Sequence, residues 1–599
     1  MNTAGAILSV ANASVLVGLI VLADQRTKTL VYWRARSFGR SGDRGEAWAI
    51  QPDRLRTRYG HEGASLYQDQ TTGRWLFRVD GYAASELAAL PGRLREALPL
   101  TESISLLGAQ PCYFFAAEAK KGATGDWFAH FQEYLVALDR AVWKKTARSF
   151  VAFHDHTVVV RLISLRQASM VFRRELRQPG NRALARIIMA MQARDLALLR
   201  DDRLFDYQTN HGLITCLGLL HYAMDLNEAE RHPIARQVAR WMATREDFFI
   251  SDDGVPLEIS QTYWKLIYLL MREIEELLNG MGETVTFPKL AKVREFFSEY
   301  SIDQRVNRFG NSALGHDLCL VEQPKRVEDG VTCRVFDTGL FVANFALNGR
   351  VGSQLVLNAQ DVRPWIHGQQ SQMAMGYFCD EVFWVDSPGR FTSGKTGLKA
   401  RIDHYANQSL PTREGCGYVP GWRYVRLEET PQGIIFSFVL KRAGASMLER
   451  TVTIGRQGGF TLADSAPGGQ VTTRFLLAPG AEAKVEDNIL VLTQADHRAT
   501  FNFSGQPAWE DGLISFQRNV ALPTKIFCLR GERVRLAVAG STPLAGELRA
   551  WVSPGYPYRK RELIAQSRPN SWILRISVKK LGLAMLVLLV MDVIAVAVS

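Results

Sequence analysis

An asparagine and a histidine stand side by side at the head of an apolar run. The run is YQTNHGLITCLGLLHYA, residues 207–223, and the pair is Asn210 and His211. A side-chain amide and an imidazole can together bind a carboxylate and stabilise an enolate-like anion. The simpler interpretation is that Asn210 caps a helix that begins at His211, since asparagine is among the best N-caps. A cap side chain points beyond the helix end, so the two roles are compatible.

A second segment rich in polar residue types is SDDGVPLEISQTYW, residues 251–264. Tyr263 carries a phenol, but it also belongs to the apolar stripe of a predicted helix. Ser260 is the expected cap of that helix, and Glu258 can bond to nearby backbone. The fragment HDH offers two more imidazoles, His154 and His156. Because the neighbouring sequence supplies no third metal ligand, we expect an exposed turn or strand edge there.

The elements that would position these residues change type along the chain. Residues from about 126 to 300 have helical periodicity, clearest over 262–278, where apolar residues recur at three- and four-residue spacing. Short polar connections predict antiparallel helical hairpins. After about residue 330 the segments become β-rich and are punctuated by Gly, Pro, Asn and Asp. No helix is needed between them, so we predict a multidomain α and β fold with an antiparallel β-sandwich after the helices.

Composition excludes several classes of protein. The 599 residues are 47% hydrophobic and 22% charged, which is globular and enough for two or three domains. A net charge of +12 favours acidic partners, but the chain has no nucleic-acid-binding motif, so no nucleic-acid partner is predicted. Seven scattered cysteines without a CxxC pair argue against a disulfide scaffold or a cysteine-ligated zinc.

Together these segments resemble the heparinase II/III-type polysaccharide lyases. That family has an Asn-His helix start and a D-G-x-x-x-E-x-S-x-x-Y segment, matched here by TNHGLITCLGLLHYA and SDDGVPLEISQTYW. SQLVLNAQDVRPWIHGQQSQMAM, FWVDSPG and RIDHYANQS follow in family order. The resemblance spans roughly residues 180–510. It implies an (α/α) toroid of helical hairpins before the sandwich, and cleavage of uronate polymers by β-elimination.

The resemblance also implies roles for individual residues. Asn210 and His211 would neutralise the uronate carboxylate, while Tyr263 would exchange protons with the sugar. Of the family's H-x-H-x-D motif, the first histidine is Trp365 here and only His367 is retained, so His367 would fill the role of the lost histidine. Trp365 could stack on a sugar ring. The candidates for substrate contact are Trp264, Trp365 and Glu258.

Departures from the family pattern remove most of its zinc ligands. The remaining candidates are His367 and Asp386, because the family's last histidine ligand is Ala406 here. One histidine and one carboxylate are too few for zinc unless His404 joins them. We therefore predict no firmly bound metal and no other cofactor.

The predicted organisation includes both ends of the chain. Its parts are 1–25 as a membrane or signal segment, 26–125 as a mixed region, 126–315 as the toroid, 330–560 as the sandwich and 572–599 as a membrane-associated segment. The apolar runs 4–23 and 581–598 are about as long as a membrane span, with a buried terminal helix as the alternative for each. We predict a membrane-associated protein of the cell envelope. The side of the membrane on which its body lies stays open, because the flanking basic residues favour the cytoplasmic side, whereas degradative relatives work in the periplasm or outside the cell.

Three functions remain open at this point. The first is a lyase that acts on an anionic polysaccharide. The second is a uronyl C5-epimerase, which needs the same carboxylate neutralisation and proton abstraction but returns a proton to the opposite face of the sugar. The third is a catalytically degenerate carbohydrate-binding or scaffold protein of a membrane-linked exopolysaccharide pathway, which the replacements Trp264 and Trp365 favour. The polymer's identity, endo or exo action and the oligomeric state are not predicted.

Overall fold

A computed structural model describes residues 64–557 with internal gaps. The gaps are 80–81, 97, 99, 144–148, 203, 207–208, 225, 244, 259, 303–304, 310–311, 313–326, 361–369, 390–396, 443–444, 457, 518–519 and 540–546. Two compact units are present, one holding 64–79 and 83–238 and the other holding 239–557. Within this part of the chain no helix is both long and apolar enough to cross a membrane. The runs 4–23 and 581–598 lie outside the described residues.

The first unit is mainly helical. It opens with a small antiparallel sheet of three strands, β1 Ala64–Gln68, β2 Trp75–Val79 and β3 Ser85–Glu86. The helices that follow are α1 Leu90–Arg93, α2 Leu100–Leu107, α3 Gln110–Lys121, α4 Trp127–Trp143, α5 Ser149–Ala152, α6 Asp155–Val171, α7 Arg173–Leu176, α8 Arg182–Leu199, α9 Asn210–Ala223 and α10 Glu228–Met242. The chain passes into the second unit within α10.

Helices α6 and α9 are the centre of the first unit. Both are buried on all sides rather than along one stripe, as expected of core helices. Gly218 of α9 permits a close approach, because a Cβ there would lie 2.8 Å from both γ-carbons of Val159 on α6. Further along, Arg166 Nη1 donates to the carbonyl of His221 at 2.7 Å. Since residues 159 and 166 meet 218 and 221 in that order, the helices run parallel and begin at the same end.

A buried ion pair fixes the chain just before α6. Arg161 donates two hydrogen bonds to Asp195 on α8, at 2.7 and 2.8 Å, and both side chains are fully buried. Arg161 Nη1 also donates to the carbonyl of Ala152 at 2.8 Å. Because a buried guanidinium needs all its donors satisfied, this contact holds the turn that leads into α6.

The second unit starts with three helices, α11 Glu246–Phe249, α12 Gln261–Gly280 and α13 Lys289–Tyr300. The apolar stripe predicted over 262–278 is largely confirmed, since Ile267, Leu270, Met271, Ile274 and Leu278 are buried. The centre of the buried face is shifted, however. Trp264 is fully buried, while Tyr263 lies half-exposed at the edge of the face.

Two large sheets follow the helices, with a short helix α14 Gly397–Asp403 among them. One sheet has six strands in the order β19-β4-β5-β6-β7-β8, and the other has ten, with β10-β11-β12-β13-β18-β17-β16-β15 as its main path and β14 and β9 branching from β18. Neighbouring strands are antiparallel except that β19 pairs parallel with β4. The strands are β4 Gly330–Val335, β5 Leu340–Leu347, β6 Arg350–Asn358, β7 Ala374–Cys379, β8 Val382–Val385, β9 Pro411–Arg413, β10 Trp422–Thr430, β11 Gly433–Arg442, β12 Ala445–Gly455, β13 Gly459–Ser465, β14 Val471–Leu476, β15 Glu482–Glu486, β16 Ile489–Gln494, β17 His497–Gln517, β18 Val520–Ala539 and β19 Glu547–Val552.

The core of the sandwich lies between these two sheets. Phe341 of β5 contacts Phe436 of β11 with ring centroids 4.8 Å apart, and Tyr377 of β7 contacts Phe460 of β13 at 5.1 Å. The inward residues of both sheets belong to one continuous apolar cluster. The predicted order of helical hairpins followed by an antiparallel β-sandwich is therefore confirmed.

Candidate functional site

Three histidines and an aspartate meet where α6 and α9 begin. His211 Nδ1 lies 2.7 Å from Asp155 Oδ2, and His154 Nδ1 lies 2.8 Å from Asp155 Oδ1. The ring centroids of His154 and His156 lie 5.4 and 4.5 Å from that of His211. The side chains of His154, Asp155 and His211 are 20, 28 and 33% exposed, so the cluster is partly open to solvent.

The HDH fragment is placed by the start of α6. His154 occupies the N-cap position and Asp155 the first helical position. Asp155 Oδ1 also accepts a hydrogen bond from the backbone nitrogen of His156 at 2.7 Å. The expectation of an exposed turn or strand edge is therefore wrong. The expectation failed because the fragment contacts His211, which lies 56 residues from Asp155 in the sequence.

The start of α9 is organised by Thr209. Its Oγ1 accepts from the backbone nitrogen of His211 at 3.3 Å and donates to Asp206 Oδ2 at 2.7 Å. Thr209 is thus the N-cap, and the prediction that Asn210 caps a helix beginning at His211 is wrong. Asn210 is instead the first helical residue and only 3% exposed. Residue 212 must be a glycine, because a Cβ there would lie 2.0 Å from the carbonyl oxygen of Asp206.

Asp155 carries a negative charge in this cluster. Burial works against that charge, but the hydrogen bonds with His154 and His211 outweigh it and hold the pKa of Asp155 well below its usual range. An ionised carboxylate only accepts hydrogen bonds, so Nδ1 of His211 carries the proton and its chemistry falls on Nε2. The converging N-termini of α6 and α9 add positive potential. This end of the first unit is suited to bind an anionic group.

The same residues resemble a set of metal ligands. One ligand atom from each of His154, Asp155 and His211 lies within 4.8 Å of the other two. Across the described part of the chain, no other group of three or more histidine, cysteine, aspartate or glutamate side chains converges in this way. Reasoning from sequence missed this cluster, because it assigned no third ligand to HDH.

Tyr263 lies in the first turn of α12, in the second unit. Ser260 occupies the N-cap position, as predicted, but its side chain forms no capping hydrogen bond, and its hydroxyl lies 3.1 Å from that of Ser312 instead. Gln261 is fully buried and connects the helix start to its surroundings: Oε1 accepts from Ser312 Oγ at 2.7 Å, and Nε2 donates to Tyr300 Oη at 3.1 Å. No pattern in the sequence distinguishes Gln261, since a buried glutamine has no local signature. These bonds fix the turn that presents the half-exposed Tyr263.

Trp264 and Glu258 are structural rather than candidates for substrate contact. Trp264 is fully buried, its Nε1 donates to the carbonyl of Glu258 at 2.6 Å, and its ring packs against Phe296 and Tyr300. A buried indole cannot stack on a sugar, so the prediction for Trp264 is wrong. Glu258 is only 4% exposed, which favours the structural role. Trp365, the third candidate for substrate contact, lies outside the described residues, as does His367.

The remaining metal candidates have other partners. Asp386 is buried and forms two hydrogen bonds with the guanidinium of the buried Arg308. His404 is exposed, its Nδ1 accepts from the backbone nitrogen of Ala406 at 3.2 Å, and it lines an open cavity of about 410 Å³ with Glu510. The carboxylate of Asp386 thus forms an ion pair with the protein's own Arg308.

Comparison with solved structures identifies the fold. The crystal structure of heparinase III superimposes with a TM-score of 0.61 at 12% identity, covering 76% of this chain and 79% of that one. A mutant of the heparan sulfate lyase HepC from Pedobacter heparinus superimposes with a TM-score of 0.54 at 13% identity, covering 87% of this chain and 89% of that one. No protein-family model and no curated protein sequence matches the chain. The chain therefore has the fold of the heparinase-type polysaccharide lyases, an (α/α) toroid followed by an antiparallel β-sandwich.

Proposed function

We propose that the protein cleaves a uronate-containing polysaccharide by β-elimination. The observation that carries this proposal is the contact between His211 Nδ1 and Asp155 Oδ2, 2.7 Å long, at the shared start of two parallel helices. In β-elimination the C5 proton of a uronate leaves, the C4–O bond breaks and a C4=C5 double bond forms. The proton becomes acidic enough only when the neighbouring carboxylate is neutralised. The cluster provides the groups that this neutralisation needs.

Asn210 and His211 are the residues proposed to bind the uronate carboxylate. Asp155 accepts from Nδ1 of His211 and stabilises the doubly protonated ring, in which Nε2–H donates to the uronate carboxylate. The amide of Asn210 supplies a second donor from the first turn of the same helix. Donors and helix dipoles that are fixed before the reaction stabilise developing negative charge without reorganisation.

Tyr263 is proposed to move the protons. As a phenolate it would take the C5 proton, and as a phenol it would return a proton to the departing glycosidic oxygen. Its half-exposed position in the first turn of α12 suits this role, and the bonds of Gln261 hold that turn. His367 is proposed to assist in the position of the family's lost histidine.

The nature of the substrate is supported from two directions. The structures with the same fold are named as a heparinase and a heparan sulfate lyase. The net charge of +12 also favours a polyanionic partner. Association with the membrane of the cell envelope is a separate proposal that rests on the apolar runs 4–23 and 581–598 alone.

The test is to incubate the purified protein with a panel of uronate polymers in deuterated water. A lyase shortens the chains and produces the ultraviolet absorbance of an unsaturated uronate. A C5-epimerase introduces deuterium at C5 without cleavage, which would overturn the lyase proposal. A protein that binds the polymers and changes none of them would support the non-enzymatic alternative. The ion pair between Asp386 and Arg308 also favours that alternative, because it removes a ligand from the family's zinc set.

A further inference from the structure

We propose that His154, Asp155 and His211 bind a divalent transition-metal ion of the zinc class. Their ligand atoms already lie within 4.8 Å of one another. Zinc bound tetrahedrally at 2.0–2.1 Å from nitrogen or oxygen requires ligand atoms about 3.4 Å apart. Side-chain rotations that move these atoms by about 1 Å would therefore complete the site.

The chemistry of the donors fits this class of ion. The two imidazole nitrogens favour zinc and its neighbours over magnesium or calcium, which bind oxygen ligands, and zinc also accepts the carboxylate of Asp155. His211 Nδ1 shares a proton with Asp155 Oδ2 across 2.7 Å, and the ion would replace that proton. Nδ1 of His154 lies 2.8 Å from the other oxygen of the same carboxylate.

His156 lies beside the three proposed ligands and is not one of them. Its ring centroid lies 4.5 Å from that of His211 and 5.4 Å from that of His154. The partial exposure of the cluster leaves an entry path and a position for water or an anionic ligand. This site lies at the start of two helices of the first unit, whereas Asp386 and His404 belong to the second unit.

The inference uses the same His211 and Asp155 as the proposed lyase activity, but its test is independent of that activity, because metal binding is measured without any polymer. Full-length protein, with its affinity tag removed and metals stripped by a chelator, is titrated with Zn²⁺ by calorimetry and with Co²⁺ by visible absorption. We expect one ion per chain and the absorption of tetrahedral Co²⁺. His154→Ala and the nearly isosteric Asp155→Asn should each weaken binding at least tenfold.

The matched control is His232→Ala. His232 also lies on a helix of the first unit and pairs with a carboxylate, that of the exposed Glu228, but it is outside the cluster. It should bind metal like the wild type. Circular dichroism in chelator establishes that each variant is folded, and the exposed Cys416 is present in all of them, so thiol binding cannot produce the difference. Absence of binding by the wild type, or equal binding by His154→Ala, Asp155→Asn and His232→Ala, would overturn the proposal.

Discussion

His211 and Asp155, 56 residues apart in the sequence, are joined by a contact of 2.7 Å between Nδ1 and Oδ2. Nothing local to either residue brings them together. The contact exists because α6 and α9 run parallel at close range, with Gly218 against Val159 and Arg166 against the end of α9. The geometry of the cluster is therefore a property of helix packing, and changes along that packing should be felt at the site.

Asp155→Asn should lower kcat on the cleaved polymer by about 10² or more, with little change in polymer binding. The amide can donate to Nδ1 as well as accept from it, so the ring of His211 loses its fixed tautomer while its position is kept. Steady-state kinetics on the polymer that the wild type cleaves would measure this. The control is Glu228→Gln. Glu228 is an exposed carboxylate that pairs with His232, and both residues lie outside the cluster. Unchanged kcat in Asp155→Asn would show that the carboxylate does not position His211.

Gly218→Ala should destabilise the protein by about 1–2 kcal/mol, although alanine is the better helix former by about 1 kcal/mol. The added Cβ would lie 2.8 Å from the γ-carbons of Val159. Gly180→Ala is the control, since a Cβ there meets nothing within 4 Å. Chemical denaturation measures the free energy of unfolding. Adding Val159→Ala should remove the clash, so the double variant should lose less unfolding free energy than the two single variants lose in sum. A loss equal to or greater than that sum would refute the assigned contact.

Asp337 should make the protein less stable as pH rises from about 4 to 6. Burial and the nearby negative charge of Asp253 raise the pKa of Asp337 to about 6 from its ordinary value of 3.8. Between these values the folded chain holds a proton that the unfolded chain has lost, so stability falls through this window, by roughly 2–3 kcal/mol for the whole shift.

Asp337→Asn cannot ionise and should flatten the stability profile between pH 4 and 6, as measured by denaturant unfolding. Asp337 Oδ2 accepts from the backbone nitrogen of Asp253 at 3.1 Å, a bond that an amide oxygen can keep. The exposed Asp496 offers the control, Asp496→Asn. A variant whose stability still falls as steeply as the wild type's would mean that another group is responsible.

Local patterns were sufficient for much of the fold. The stripe over 262–278 follows from apolar spacing, and the strands after residue 330 follow from β-rich segments bounded by turn residues. Contacts distant in sequence could not be derived in this way. The parallel pairing of β19 with β4, for example, joins residues 547–552 to 330–335, and no periodicity encodes that choice.

The candidate site divides in the same manner. Asn210, His211 and Tyr263 were proposed from two separate motifs, 207–223 and 251–264, each of which is local in the sequence. His154 and Asp155 were not assigned to the site, because their partner is 56 residues from Asp155 and their helix begins where a strand or turn was expected. The burial of individual side chains could not be predicted from the sequence either. Trp264 and Tyr263 are neighbours in one stripe, and only packing decides that the indole is enclosed while the phenol stays half-exposed.

The most direct measurement compares Tyr263→Phe with Tyr268→Phe on uronate polymers, following ultraviolet absorbance and chain length together. Both tyrosines lie on α12, but Tyr268 is a buried core residue. We expect the wild type and Tyr268→Phe to cleave a polymer of the panel, and Tyr263→Phe to lose at least about 10³ of that rate, because only Tyr263 would transfer the protons. Wild-type cleavage that persists in Tyr263→Phe, or a wild type that cleaves no polymer of the panel, would contradict the proposed mechanism.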